Sequence, residues 1–233
     1  MTRVVPLHKD QHANLKVKDA TDFSIIQNEH IIPLVVHEFV GACTDMPIIF
    51  VKDVNTGHFQ VVAMLGLKPK ENLLLQDGKW QSVYVPSIIK HTPFRLIPTA
   101  DNSEQLMLGI DEDSALCGEG EALYGDDQSE SDYLVKRKEA VIDFFEKSQV
   151  TGGFITIIRQ LDLLVERTVG VTIGEDRVNL NGLYVIDEDK LMALPEDKFM
   201  DLKKRGFLPA IYAHMISINQ IGRLAKIKTE LQG

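Results

Sequence analysis

Apolar residues in this chain come in short runs cut by glycine, proline and Asx residues, and in the first half the runs are those of strands. Residues 47–51 predict a buried strand, Asn55-Thr56-Gly57 a turn, and residues 58–65 the strand that returns beside it. Within 73–80, Asp77-Gly78 stands between two apolar runs, a dipeptide that favours the primed turn whose twist matches paired strands. Residues 93–98, bounded by prolines, read as an edge strand, and 105–110 as a further strand. Two helices are expected among them. One covers 30–40, with Pro33 in its first turn, where a missing N–H costs little, and Gly41 at its end. A short one begins within 85–90.

The second half turns to helical spacing. Residues 129–147 put Tyr133, Leu134, Val141, Ile142, Phe144 and Phe145 on roughly one face. A second helix is predicted to open at Thr151-Gly152-Gly153 and run to about 165. Residues 166–173, a turn at 174–176 and residues 177–186 form a further hairpin, with imperfect alternation at Val178, Leu180 and Leu183. Asp187 is placed as an N-cap, and Pro195 opens another helix with Glu196 and Asp197 in its first turn. Gly206 separates that helix from a last one over 208–228, whose apolar stripe is Ile211, Met215, Ile218, Ile221 and Leu224. The expected fold class is α+β, with a strand-rich, antiparallel N-terminal half and a helical C-terminal half containing one further hairpin. No repeat or linker divides the chain, so residues 1–233 read as a single domain.

Charge alters this picture in one place. The chain carries 25 Lys and Arg against 34 Asp and Glu, a net charge of −9. Eleven of those acidic residues and no Lys or Arg fall within 101–132, so the remainder is close to neutral. Gly118, Gly120 and Gly125 break any regular pattern there, and the segment reads as an acidic surface excursion with one short strand near 122–124. With no long basic stripe, nucleic-acid binding is disfavoured, and Lys203-Lys204-Arg205 suits a helix C-terminus. The longest uninterrupted apolar stretch is the six residues 31–36, against the roughly 20 that a membrane span needs. The first ten residues lack a signal-peptide core, and a cytoplasmic protein is expected, with export by a route other than Sec left open. Cys43 and Cys117 are too few for a disulfide framework.

The residues give few candidates for chemistry. The spacing of His8, His12, His30, His37, His91 and His214 makes no metal motif, and the acidic residues 111–121 lack the EF-hand spacing. Gly118-Glu119-Gly120 has the wrong sign for a phosphate cradle, and no nucleophile elbow or Walker lysine occurs. No metal, cofactor or catalytic residue is therefore expected. Trp80 and Tyr84, four apart beside the hairpin, can form either a stacking platform or a core pair that anchors the sheet. Tyr212 and His214 have the same two readings. With Arg95, these make five candidates for ligand or partner contact.

Taken in order, several pieces resemble the SapC-like family of bacterial proteins: Glu38-Phe39, Pro47-Ile48-Ile49-Phe50, Leu65-Gly66-Leu67 with Glu71-Asn72-Leu73, Trp80 with Tyr84-Val85-Pro86, Thr92-Pro93-Phe94, Gly109-Ile110-Asp111-Glu112, the run 182–191 and Tyr212-Ala213-His214. The family is named after a component associated with a bacterial surface layer, and its members also carry a label as peptide transport permeases. No segment here can act as a permease span. Relatives are encoded near TonB-dependent receptors, halogenase-like flavoproteins and cupin-like proteins. The resemblance thus implies a non-catalytic binding or accessory protein of a surface or nutrient-uptake system, acting with a protein partner. It leaves two alternatives: an enzyme or enzyme subunit of the same pathway, using Trp80, Tyr84, Arg95 and His214, and a structural surface-layer protein.

Overall fold

A computed structural model describes residues 3–19, 23–99 and 105–232. The first acidic residues of the charged segment, Asp101 and Glu104, lie outside the described residues. The strands are, in chain order, β1 (Val4–Pro6), β2 (Lys16–Val17), β3 (Ile31–Pro33), β4 (Ile48–Lys52), β5 (Phe59–Met64), β6 (Leu75–Gln76), β7 (Lys79–Trp80), β8 (Phe94–Pro98), β9 (Leu106–Asp111), β10 (Glu121–Ala122), β11 (Leu164–Ile173) and β12 (Asp176–Ile186). The helices are α1 (Lys9–His12), α2 (Phe39–Ala42), α3 (Ser87–His91), α4 (Asp132–Gln160), α5 (Glu188–Met192), α6 (Glu196–Lys204), α7 (Leu208–Ser217) and α8 (Gln220–Gln232). Every strand pairing is antiparallel, and the class is α+β with a helical C-terminal end. Among the described residues, no helix is long and apolar enough to cross a membrane.

The chain divides into two compact units, and it passes between them three times. One unit is Met1–Ile25 with Ser87–Glu146, and the other is Ile26–Pro86 with Lys147–Gly233. The first holds the sheet β1-β9-β8, in which the proline-bounded β8 is an edge as its sequence predicts, and the pair β10-β2. Its core gathers Val17, Phe94, Ile110, Leu116, Leu123, Tyr124, Leu134 and Val141. The acidic segment is thus tied down from below, because Leu116, Leu123 and Asp111 are buried while Glu119 and Glu121 are exposed.

The second unit is built on the five-stranded sheet β11-β12-β4-β5-β3. Its core is aromatic. Phe154 of α4 meets Phe39 edge-on with centroids 5.9 Å apart, Phe207 at 5.1 Å, and the ring of Phe50 on β4 at 6.4 Å. The imperfect alternation of β12 has a physical cause. Arg167 pairs with Leu183 but Val169 with Leu180, so β12 carries one extra residue, and Gly182 takes up the bulge at φ 72°.

Three helix expectations are corrected. Residues 30–40 are not one helix. Ile31 and Ile32 pair with Met64 and Ala63 on the sheet edge, where β-branched side chains pack well and Pro33 loses no needed N–H. Only a 3₁₀ turn at Val36–Glu38 and the four residues of α2 follow. Thr151-Gly152-Gly153 does not start a helix either; α4 runs through it unbroken and stops at Gln160. The Thr151 hydroxyl donates to the Lys147 carbonyl at 2.7 Å and accepts from the Val36 N–H at 2.8 Å, fixing the helix against the sheet-edge segment. That anchorage, with Phe154 and Ile158 fully buried, outweighs the ~1 kcal/mol each glycine costs. The last helix is two, α7 and α8. Ser217 ends α7 because its hydroxyl donates to the His214 carbonyl at 2.6 Å while accepting from the Ile48 N–H at 2.9 Å.

Candidate functional site

Trp80 and Tyr84 form a clasp that begins with the turn before them. Asp77 and Gly78 both take positive φ, 49° and 73°, so the primed turn brings β7 back against β6. The indole N–H of Trp80 then donates to the Tyr84 carbonyl at 2.9 Å. The Tyr84 hydroxyl donates to Oε1 of the buried Glu38 at 2.8 Å, while Oε2 of Glu38 accepts from the Val35 N–H at 3.1 Å. A second buried carboxylate holds the same segment: Oδ2 of Asp45 accepts from the Tyr84 N–H and the Ser82 hydroxyl, each at 2.8 Å. Arg223 of α8 donates to the Asp45 carbonyl at 2.6 Å. The Tyr84 ring lies so close over Gly41 that a Cβ there would sit 2.7 Å from Cε2. Both carboxylates thus serve to bind the 80–84 segment to the turn and helix at 36–45. Polar groups buried this deeply need such hydrogen-bond partners.

The other candidates separate. His214 is fully buried, packed at 5.1 Å against Phe50 with the ring planes tilted by 60°, and its Nε2 accepts from the Ile186 N–H at 3.0 Å. Nδ1 has no hydrogen-bond partner among the described residues. Burial pushes its pKa down to about 4, with a contact to the Ile48 backbone opposing, so the ring is neutral at physiological pH. Tyr212, two residues earlier on α7, is exposed. Arg95 is exposed on β8, opposite Gly109, in the first unit. Asp187 caps α5 by accepting from the Lys190 N–H at 3.0 Å, as its position predicts, and pairs with Arg167 at 3.0 Å. The thiols are poor nucleophiles. Burial, with Asp111 and Glu112 nearby, raises Cys117 to about 11, and burial raises Cys43.

One open surface was not legible in the sequence. A groove of about 210 Å³ lies between Val40 of α2, Val150 of α4 and the turn from α6 to α7 at Phe207 and Pro209. Val40 is 60% exposed and Val150 44%, an unusual state for valines on helices. His37 and Arg205 stand at its rim, and the exposed Lys203 and Lys204 precede Arg205 at the end of α6. Pro209, Tyr212 and Ile216 follow a spacing of three and four residues, so they share one exposed face of α7 that continues from the groove.

The other residues behind the resemblance also serve the frame. A Cβ at Gly66 would lie 2.2 Å from the Glu71 carbonyl oxygen. Glu71 accepts from the Leu67 N–H at 2.9 Å and pairs with the buried Lys228 of α8 at 2.9 Å. Asn72 bridges the Ile26 carbonyl and the Leu74 N–H. Among known proteins, the family model described as SapC matches residues 7–224 of this chain. No curated protein and no solved structure matches it.

Proposed function

The chain belongs to the SapC family, and from that premise we propose that it is a non-catalytic binding or accessory protein of a bacterial surface or nutrient-uptake system, engaging a protein partner through the groove at α2 and α7. One observation carries this reading: the polar residues best suited to chemistry are spent inside the frame, while an apolar groove, with His37 and the Asp201-paired Arg205 at its rim, is left open. Glu38, Asp45 and Tyr84 hold backbone and one another, and His214 is sealed and neutral. An exposed apolar patch rimmed by polar groups is the usual mark of a protein contact, and an aromatic such as Tyr212 is a common anchor in one. The enzyme alternative needs Trp80, Tyr84, Arg95 and His214 at one open cleft, which the burial of His214 disfavours.

The test is site-specific photo-crosslinking in the native host, with the photoreactive residue placed at Val40, at Ile216 or at the exposed turn residue Val54. A shared adduct from positions 40 and 216 that is missing from position 54 supports the reading. Equal labelling from all three positions, or adducts from 54 alone, contradicts it.

A further inference from the structure

Two cations approach one aromatic ring of the second unit, and among the described residues no carboxylate forms an ion pair with either of them. The guanidinium carbon of Arg159, in the last turn of α4, stands 5.1 Å from the centroid of Phe59. Lys52, directly opposite Phe59 in the β4–β5 register, brings Nζ to 5.8 Å from the same centroid. Tyr184 meets that ring edge-on at 4.9 Å, and its hydroxyl donates to Glu166 at 3.2 Å. Among the described residues, the side chains of Arg159, Lys52 and Gln160 make no hydrogen bond and no ion pair.

The ordinary duty of an arginine in a last helical turn is to meet the open carbonyls there. Here those carbonyls are already taken. Ile157, Arg159 and Ile158 accept from the N–H groups of Leu161, Asp162 and Leu163 at 3.0, 3.0 and 2.9 Å. The Arg159 fork is therefore free to face outward, and it does so over a cleft of about 290 Å³ lined by Thr156, Arg159 and Gln160. That volume is at the lower end of small-molecule sites. The Phe59 ring holds both cations in position before any ligand arrives, which lowers the ordering cost of capture.

We propose that this cleft, apart from the α2–α7 groove, binds a small organic anion with a carboxylate or phosphate head. Arg159 takes the head through its fork and Gln160 offers an amide donor at the wall, while Lys52, beside Phe59 and outside the lining, adds positive charge at longer range. Calorimetric titration of the full chain tests this with three probes of one shape: benzoate, phenyl phosphate and the neutral benzamide.

The expected result is one saturable site for benzoate or phenyl phosphate, at least tenfold tighter than for benzamide, and weakened by added salt. Whichever anion binds more tightly identifies the head. Arg159→Gln is expected to weaken that binding at least tenfold and Lys52→Gln severalfold, while Lys226→Gln at an exposed position of α8 leaves it unchanged. Because Lys52→Gln keeps the Arg159–Phe59 stack intact, it decides the matter should Arg159→Gln melt early. Benzamide binding as tightly as the anions, no saturable site for either anion, or variants at 52 and 159 that bind like the wild type would overturn the proposal.

Discussion

At the scale of single residues, the buried groups differ in how they respond to change. His214 is neutral in the folded protein and titrates near 4, whereas an exposed histidine titrates near 6.5. Above pH 6.5 it is neutral in both states and has no effect. Between 6.5 and 4 the unfolded chain binds a proton that the folded one refuses, so stability falls as pH falls through that window. The expected loss between pH 7 and pH 5 is about 2 kcal/mol, read from urea unfolding at each pH. His214→Gln should be flatter over the same range; an equally steep variant would assign the slope to other groups. Tyr84 and Gly41 are matched by shape. Gly41→Ala drives a methyl into the tyrosine ring and is expected to cost about 1–3 kcal/mol. Tyr84→Phe removes a donor from buried Glu38 and is expected to cost about the same, both visible as a lower urea midpoint. The cap at Asp187 was legible, because it depends on local spacing. That Glu38 and Asp45 converge on Tyr84 was not, since those hydrogen bonds span 46 and 39 residues.

At the scale of elements, the sequence is clearest where the turn chemistry is local. The Asp77-Gly78 hairpin, the strand pair 48–52 and 59–64, and the proline-bounded edge strand all form where their signals stand. Helix boundaries were less legible, because tertiary anchors decide them. Gly152 and Gly153 look like a break, yet Thr151 is held from the sheet side and α4 continues. A Cβ at either glycine meets nothing within 4 Å. Gly152→Ala and Gly153→Ala are therefore each expected to stabilise the protein by about 0.5–1 kcal/mol, measured as a raised unfolding midpoint. A loss of stability would mean that these glycines serve a conformation other than the straight helix. The opposite error occurs at Ser217, where a continuous apolar stripe conceals a stop made by the first N–H of β4. The pairing of Tyr184 with Phe50, which joins the C-terminal hairpin to the N-terminal strands, has no local signature at all.

At the scale of the whole molecule, the residues that carry the family resemblance and the surface open to a partner are largely different sets. Glu38, Gly66, Glu71, Asn72, Trp80, Tyr84 and His214 hold the second unit together, and Tyr212 alone among the early candidates lies on the face that continues from the groove. This explains why the sequence identifies the family well and the proposed partner surface poorly: the fold is written in buried contacts, while the groove is made of ordinary valines, a proline and a basic helix end. The claim that this groove carries the function is tested most directly by quantitative affinity recovery from the native host, comparing wild type with Val40→Glu and Val54→Glu. Both valines are exposed, so both variants should fold and melt like the wild type. The account expects Val40→Glu to lose a specific protein partner at least tenfold, about 1.4 kcal/mol of binding, while Val54→Glu keeps it. Recovery of the same partner at equal yield by both variants would contradict it.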